Sequence, residues 1–182
     1  MSSYAGQWAL CGGWAADYWL GRQTREHADV DLVIFTDDLA QLTAQFPDRL
    51  VIAHDPPDQT HEDPWDGRAL RVPSHIHVRP KDGDVELDLQ VNERTNGLWI
   101  LNAAPHLAID LRHAIIEPSW GVPVVAPEVV LFFKSDELRP RDEADFRALR
   151  PALSKAQTQW LRDAITLVRP GHVWLDALSA AV

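Results

Sequence analysis

The chain is short of cysteine and of positive charge, and no stretch of it is long and apolar. A single cysteine, Cys11, excludes an internal disulfide and fits a reducing compartment. No run of eighteen apolar residues occurs, so a membrane-spanning helix is not expected. The start, Met1-Ser2-Ser3-Tyr4-Ala5, carries neither a basic cluster nor an apolar signal core, and a soluble cytoplasmic protein is expected. Lys and Arg total 17 against 27 Asp and Glu, giving a net charge of −10. No basic face stands out, which speaks against long DNA or RNA as a partner. An acidic surface favours a cationic small substrate, although many cytoplasmic proteins are acidic for solubility alone. Repeats and low-complexity blocks are also missing.

What is present suffices for a core. The chain has 182 residues, of which 46% are hydrophobic, enough for one domain or one domain with a helical appendix. Residues 14–20 follow a Gly-Gly pair, are rich in Ala and aromatics, and stop at Gly21, as a helix does. Residues 30–35 form a short apolar run, a buried strand candidate. Residues 38–46 have helical spacing through Leu39, Leu42 and Phe46, and Pro47 ends them. Residues 50–53 suggest a strand, and 54–68, with Pro56, Pro57 and Pro64, a loop in which Trp65 is a candidate for the mouth of a substrate pocket.

Strands are expected at 74–78 and 85–91, joined through Asp82-Gly83, a hairpin step. In the second, Val85, Leu87, Leu89 and Val91 take one face; Glu86, Asp88, Gln90 and Asn92 take the other. Further strands are expected at 114–116 and 122–125. From Pro127 the pattern turns helical, with further helices at 141–149, 155–168 and 173–178. Strands followed by helices predict an α+β fold with a helical C-terminal part beginning near residue 126.

The chemistry-bearing residues gather near the N-terminus. Asp29 and Asp31 are two positions apart, so on a strand both carboxylates leave the same face. Such a pair binds hard divalent cations through oxygen, usually Mg²⁺ with substrate phosphates, and paired metals assist in-line phosphoryl displacement. The flanking Val30, Leu32, Val33 and Ile34 make the strand a buried one, and buried acids need a compensating charge. Gly12 and Gly13 let the backbone approach a phosphate, with the helix that follows offering free N–H groups. A third acid is expected from a neighbouring strand. Asp88 is the preferred candidate, as metal ligand and general base, and Glu86 on the same face is its rival.

Arg25 and His27 occupy the turn before Asp29. They are candidates for triphosphate binding or for orienting Asp29, and an Arg25–Asp29 ion pair is the structural alternative. His75 and His77 share a strand face, but no spaced third ligand accompanies them, so a cross-strand or surface role is preferred to a metal site. Cys11 reads as a packed residue.

Gly12-Gly13-Trp14-Ala15, Asp17, Leu20-Gly21-Arg22, Thr24-Arg25, His27 and Asp29-Val30-Asp31-Leu32 together resemble the signature of the aminoglycoside and lincosamide nucleotidyltransferases, of the DNA polymerase β-like superfamily. Leu87-Asp88-Leu89-Gln90-Val91 is similar to the strand carrying that family's third acid. The segment from Ala126 to Lys134, with Asp142 and Asp145 beyond it, is similar to the start of its helical part.

The resemblance implies a nucleotidyltransferase fold: a small mixed sheet flanked by helices, with residues 1–125 catalytic and 126–182 a helical segment packed on them. It implies transfer of a nucleoside monophosphate, usually AMP, from NTP to a hydroxyl of a small acceptor, with release of pyrophosphate. By position, Gly12, Gly13, Arg25 and His27 would serve the nucleotide, with Asp29, Asp31 and Asp88 on two Mg²⁺ ions and Asp88 as base. Lys134 would contact phosphate or substrate, or else bridge to Asp142 or Asp145. Gln90 stands where members often carry histidine, and the chain leaves little room for a large antibiotic-binding domain. Two other readings remain: modification of a protein or RNA end, as toxin–antitoxin nucleotidyltransferases do, or a non-catalytic nucleotide-binding module.

Overall fold

The computed structural model describes residues 4–54, 63–84, 86–102, 104, 106–119 and 121–179. The chain folds as one mixed sheet with helices on one face. Strands β1 (Trp8–Leu10), β2 (Val30–Phe35), β3 (Leu50–His54), β4 (Asp63–Pro64), β5 (Ser74–Arg79), β6 (Leu87–Thr95), β7 (Leu98–Ile100), β8 (Ala108–Asp110), β9 (Ile115–Ile116) and β10 (Val124–Val125) contribute to it. Their order is β4-β3-β5-β6-β2-β1-β10-β9, and β7 and β8 extend from the far end of β6. β2 runs parallel to β6, and β1 parallel to β10; the other pairings are antiparallel.

The helices are α1 (Gly12–Leu20), α2 (Leu111–Ala114), α3 (Pro127–Lys134), α4 (Pro140–Leu149), α5 (Lys155–Val168) and α6 (Trp174–Ser179). α5 keeps the expected bounds, and its start is a reciprocal cap: Gln157 N–H donates to Ser154 Oγ, and Ser154 N–H to Gln157 Oε1. No helix among the described residues is long and apolar enough to cross a membrane.

The period-2 alternation of the strands divides the apolar residues between two cores. On the helix side, Val33 and Phe35 of β2 join Ala9, Ala15, Ala16, Trp99 and the apolar faces of α3, α4, α5 and α6. On the other side, Leu32, Ile34, Ile76, Val78, Leu89 and Val91 pack with Tyr4, Leu39, Leu42, Trp65 and Leu70. Asp31 and Asp88 thus share the helix-side face, where the sheet edge near β5 and β3 is left polar.

Several expectations change. Residues 38–46 are not an α-helix but two 3-10 turns, Thr36–Gln41 and Thr43–Gln45. Leu39 and Leu42, three apart, are both buried against the sheet, which suits three residues per turn. The Asp38 carboxylate, taken up by Gln7 N–H at 2.9 Å and Arg94 at 3.0 Å, fixes the first turn from outside. Within the expected loop 54–68, Asp63–Pro64 pairs with β3, while 55–62 lie outside the described residues. Trp65 is buried in the second core, with its indole N–H on Arg68 O at 2.9 Å, and lines no substrate mouth. β6 continues past Val91 to Thr95 and turns through Asn96-Gly97, both at positive φ, into β7. That Asn-Gly step is a strong hairpin signal.

Candidate active site

The Gly-Gly pair opens α1 directly against β2. Cys11 N–H donates to Asp31 O at 2.9 Å, and Gly12 sits at φ +61°. A Cβ on Gly12 would fall on the Asp31 carboxylate, and one on Gly13 on the His27 ring and the Arg25 guanidinium. The Gly13 backbone N–H is hydrogen-bonded to the Asp31 side chain. Both glycines are therefore required by close approach, and the helix N-terminus faces the acids.

Asp31 and Asp88 are register partners on the parallel strands β2 and β6. Asp29 lies one residue before β2, its carbonyl accepting the Trp14 indole N–H at 3.1 Å. Burial raises the Asp31 carboxyl to about 6, helped by the charges of Asp88 and Asp29 and opposed by Lys134 and the Gly13 N–H. The Cys11 thiol is pushed up by burial, then by Asp31, Asp88 and Asp29, again against Lys134. Three acids and one lysine thus act on one small volume beside α1. Cys11 packs against the helix-side core, as expected.

Asp88 is contacted from β5. His75 Nδ1 lies 3.2 Å from Oδ1 and 3.4 Å from Oδ2, and this hydrogen bond holds His75 above the usual histidine range. His77 Nε2 lies 3.8 Å from Asp88 Oδ1. The two histidines face Asp88 across the β5–β6 ladder, and Asp88 supplies the third ligand-type neighbour that their spacing in the sequence did not reveal. Glu86, the rival third acid, instead pairs with Arg49 at 2.9 Å.

The turn between α1 and β2 is built around Asp17, a residue to which sequence reasoning gave no role. Its buried carboxylate accepts Thr24 N–H at 3.0 Å, the Thr24 hydroxyl at 2.5 Å and His27 Nε2 at 2.6 Å. Burial pushes its pKa up, but these hydrogen bonds outweigh burial and leave it below the ordinary value. His27 Nδ1 lies 2.9 Å from Arg25 Nη1. A guanidinium only donates, so Nδ1 accepts and the ring proton sits on Nε2. Both ring nitrogens are thereby engaged, and Trp14 packs on the ring with centroids 4.6 Å apart. The signal for Asp17 was its place ten residues before His27, where α1 turns back.

Arg25 does not pair with Asp29. Its guanidinium reaches Asp145 of α4 at 3.7 Å, and its Nε has no hydrogen-bond partner among the described residues. Lys134, buried at the end of α3, bridges Asp145 at 2.7 Å and Asp142 at 3.4 Å. Of the two roles expected of Lys134, the bridge to Asp142 and Asp145 is present, and its charge also acts on Asp31.

The carboxylates of Asp29, Asp31 and Asp88 are near enough to feel one another's charge and offer hard oxygen donors, and the cost of placing them so falls when a cation sits between. A site of this kind, at the N-terminus of a helix entered through Gly-Gly, suits a metal-bound triphosphate.

A family model described as aminoglycoside-2''-adenylyltransferase matches residues 1–149. No curated protein matches the chain at a significant level. Among solved structures, the lincosamide antibiotic adenylyltransferase LnuA with lincomycin bound has a TM-score of 0.56 at 20% identity, over 81% of this chain and 87% of that one. ANT(2'')-Ia in complex with adenylyl-2''-tobramycin has a TM-score of 0.57 at 19% identity, over 89% and 88%. At such identities these likenesses establish the fold, α+β with an open mixed sheet. With the family model spanning the site and most of the sheet, the chain belongs to the aminoglycoside-2''-adenylyltransferase family, and it is a nucleotidyltransferase.

Proposed function

We propose that this protein is a Mg²⁺-dependent adenylyltransferase that moves AMP from ATP to a hydroxyl of a small cationic antibiotic of the aminoglycoside or lincosamide class. The observation that carries this reading is the register pairing of Asp31 with Asp88, with Asp29 just upstream, against the Gly12-Gly13 end of α1. The solved relatives with lincomycin and with adenylyl-2''-tobramycin support the acceptor class. The net charge of −10 is compatible with a cationic acceptor.

Asp29, Asp31 and Asp88 would hold the metal, two ions in the reading we favour. When bound, Mg²⁺ neutralises the phosphate oxygens and the departing pyrophosphate. The first N–H groups of α1 and the Gly12-Gly13 backbone receive the triphosphate. Arg25 Nε, without a hydrogen-bond partner among the described residues, is left for the same anion, while Nη1 lies against His27 and Nη2 against Asp145. His27 and Asp17 act through the turn, fixing Asp29 and Arg25. A carboxylate oxygen of Asp88 takes the proton from the acceptor hydroxyl as the hydroxyl oxygen attacks the α-phosphorus and the bond to pyrophosphate breaks. Lys134 tempers the charge of the acids and ties the site to α4. Residues 1–125 carry this chemistry and 126–182 brace it. The cytoplasm, where MgATP is available, is the compartment that suits it.

The test is release of pyrophosphate from MgATP over a panel of aminoglycosides and lincosamides. Turnover with at least one acceptor is expected, with Asp88→Asn slower by about 10²–10⁴-fold. Lack of turnover with every acceptor, together with unchanged nucleotide binding in Asp29→Ala, would falsify the reading.

A further inference from the structure

The polar end of the sheet beside the acids carries histidines. His75 and His77 leave the same face of β5. Asp88 is the register partner of His77 across the antiparallel β5–β6 ladder, so backbone hydrogen bonds fix where all three side chains start. His75 Nδ1, His77 Nε2 and an Asp88 carboxylate oxygen all lie within 4.8 Å of one another. The closest approaches are 3.2 Å and 3.8 Å, both to Asp88 Oδ1.

One hydrogen bond accounts for His75. It does not account for His77, because 3.8 Å is beyond hydrogen-bond distance. Two imidazole nitrogens and one carboxylate oxygen, close to one another and partly open to solvent, are a three-ligand set. Metal–ligand bonds of about 2.0–2.2 Å at tetrahedral angles require donors roughly 3.3–3.6 Å apart, and the distances from the two histidines to Asp88 Oδ1, 3.2 Å and 3.8 Å, bracket that range. The donor types matter too. Imidazole suits zinc, cobalt and nickel, whereas Mg²⁺ is held by oxygen.

We propose that His75, His77 and Asp88 form a binding site for a divalent transition-metal ion of the zinc type, distinct in donor set from the all-carboxylate Mg²⁺ site and sharing only Asp88 with it. The consequence for activity rests on the adenylyltransferase reading. An ion held by both histidines and Asp88 draws an Asp88 oxygen away from the Mg²⁺ ions and the acceptor's proton, which both need this carboxylate, so zinc stops transfer while Mg²⁺ supports it.

The experiment uses tag-free, chelator-stripped protein without nucleotide. Zn²⁺ is titrated by calorimetry, and Co²⁺ by visible absorption. One ion per chain is expected, not displaced by excess Mg²⁺. His77→Gln, which leaves the Asp88–His75 contact in place, weakens binding by at least about a hundredfold, since even outer-shell changes cost about 10–100-fold. Equal affinity in wild type and His77→Gln, or no binding in either, overturns the proposal. In the pyrophosphate assay with saturating Mg²⁺, Zn²⁺ inhibits wild type and spares His77→Gln; equal inhibition of both overturns the inhibitory role. The titration needs no acceptor. A protein that binds zinc through His77 but turns over no acceptor would refute the function and leave this site standing.

Discussion

Asp31 is a carboxylate held where ionisation is costly. Its pKa of about 6 lies above the ordinary 3.8, first because it is buried and then because Asp88 and Asp29 are near. Between these two values the folded protein keeps a proton that the unfolded chain has released. The stabilising contribution of this group is therefore complete below about pH 4 and is lost as pH rises through about 6. The loss comes to about 3 kcal/mol in the metal-free protein. Asp31→Asn removes the ionisation. In chelator, the variant should melt about 5 °C or more above wild type at pH 8, with the gap closing towards pH 4. Thermal melts across that range check this, and a gap that ignores pH would show that Asp31 is not destabilised by its neighbours. The same variant should lose metal-dependent turnover, so stability and activity trade against each other at one residue.

Helix α1 poses the corresponding question for an element, because it has glycines at both ends and only those at its start face the acids. Gly21 closes the helix at φ +65°, its N–H on Tyr18 O at 3.1 Å, and a Cβ there meets nothing within 4 Å. Gly12 has a similar φ, but its Cβ would land on the Asp31 carboxylate. Gly21→Ala should cost about 1 kcal/mol and leave kcat/KM unchanged. Gly12→Ala carries the same backbone strain and must also displace Asp31, so kcat/KM should fall about a hundredfold or more. Steady-state kinetics beside a melt of each variant separates the two, and equal kinetic effects would deny Gly12 its special place.

This contrast also marks what the sequence revealed. Local signals sufficed for α1, α3, α5 and the alternating face of β6, because caps, Pro127 and period-2 spacing are written within a few residues. β1, β7 and β8 are three residues each and owe their form to neighbours on the sheet, so no window of sequence carries them. Register was equally out of reach. That Asp31 lies opposite Asp88, and Asp88 opposite His77, follows from pairing strands far apart in the chain. Hence Asp88 was legible as an acid on the correct face, while its histidine partners and the Asp17 hub were not.

In the whole molecule, the helix-side core crosses from the sheet into the C-terminal helices without a break: Ala15, Val33 and Trp99 belong to one cluster with Phe146, Leu161 and Trp174. Trp174 is buried flat on Phe146, centroids 4.1 Å apart, and gives its indole N–H to Glu143. His172 binds Ser135 O at 2.9 Å and Arg169 binds Asp136 at 2.8 Å, stitching the last turns to the end of α3. From there the chain of contacts runs through α4, whose Asp145 meets both Lys134 and Arg25, and so reaches the turn that holds His27. Residues beyond 126 are thus tied by contacts to the turn that precedes Asp29. Trp174→Ala opens a large cavity in the shared core and should cost about 3–5 kcal/mol, lowering the melting temperature by roughly 10 °C. Tryptophan fluorescence, circular dichroism and loss of turnover should follow one coincident transition in both wild type and variant. If instead the helices melted first while metal-dependent nucleotide binding persisted, the sheet would hold its site alone, and the path from Trp174 through Asp145 to Arg25 would carry no weight.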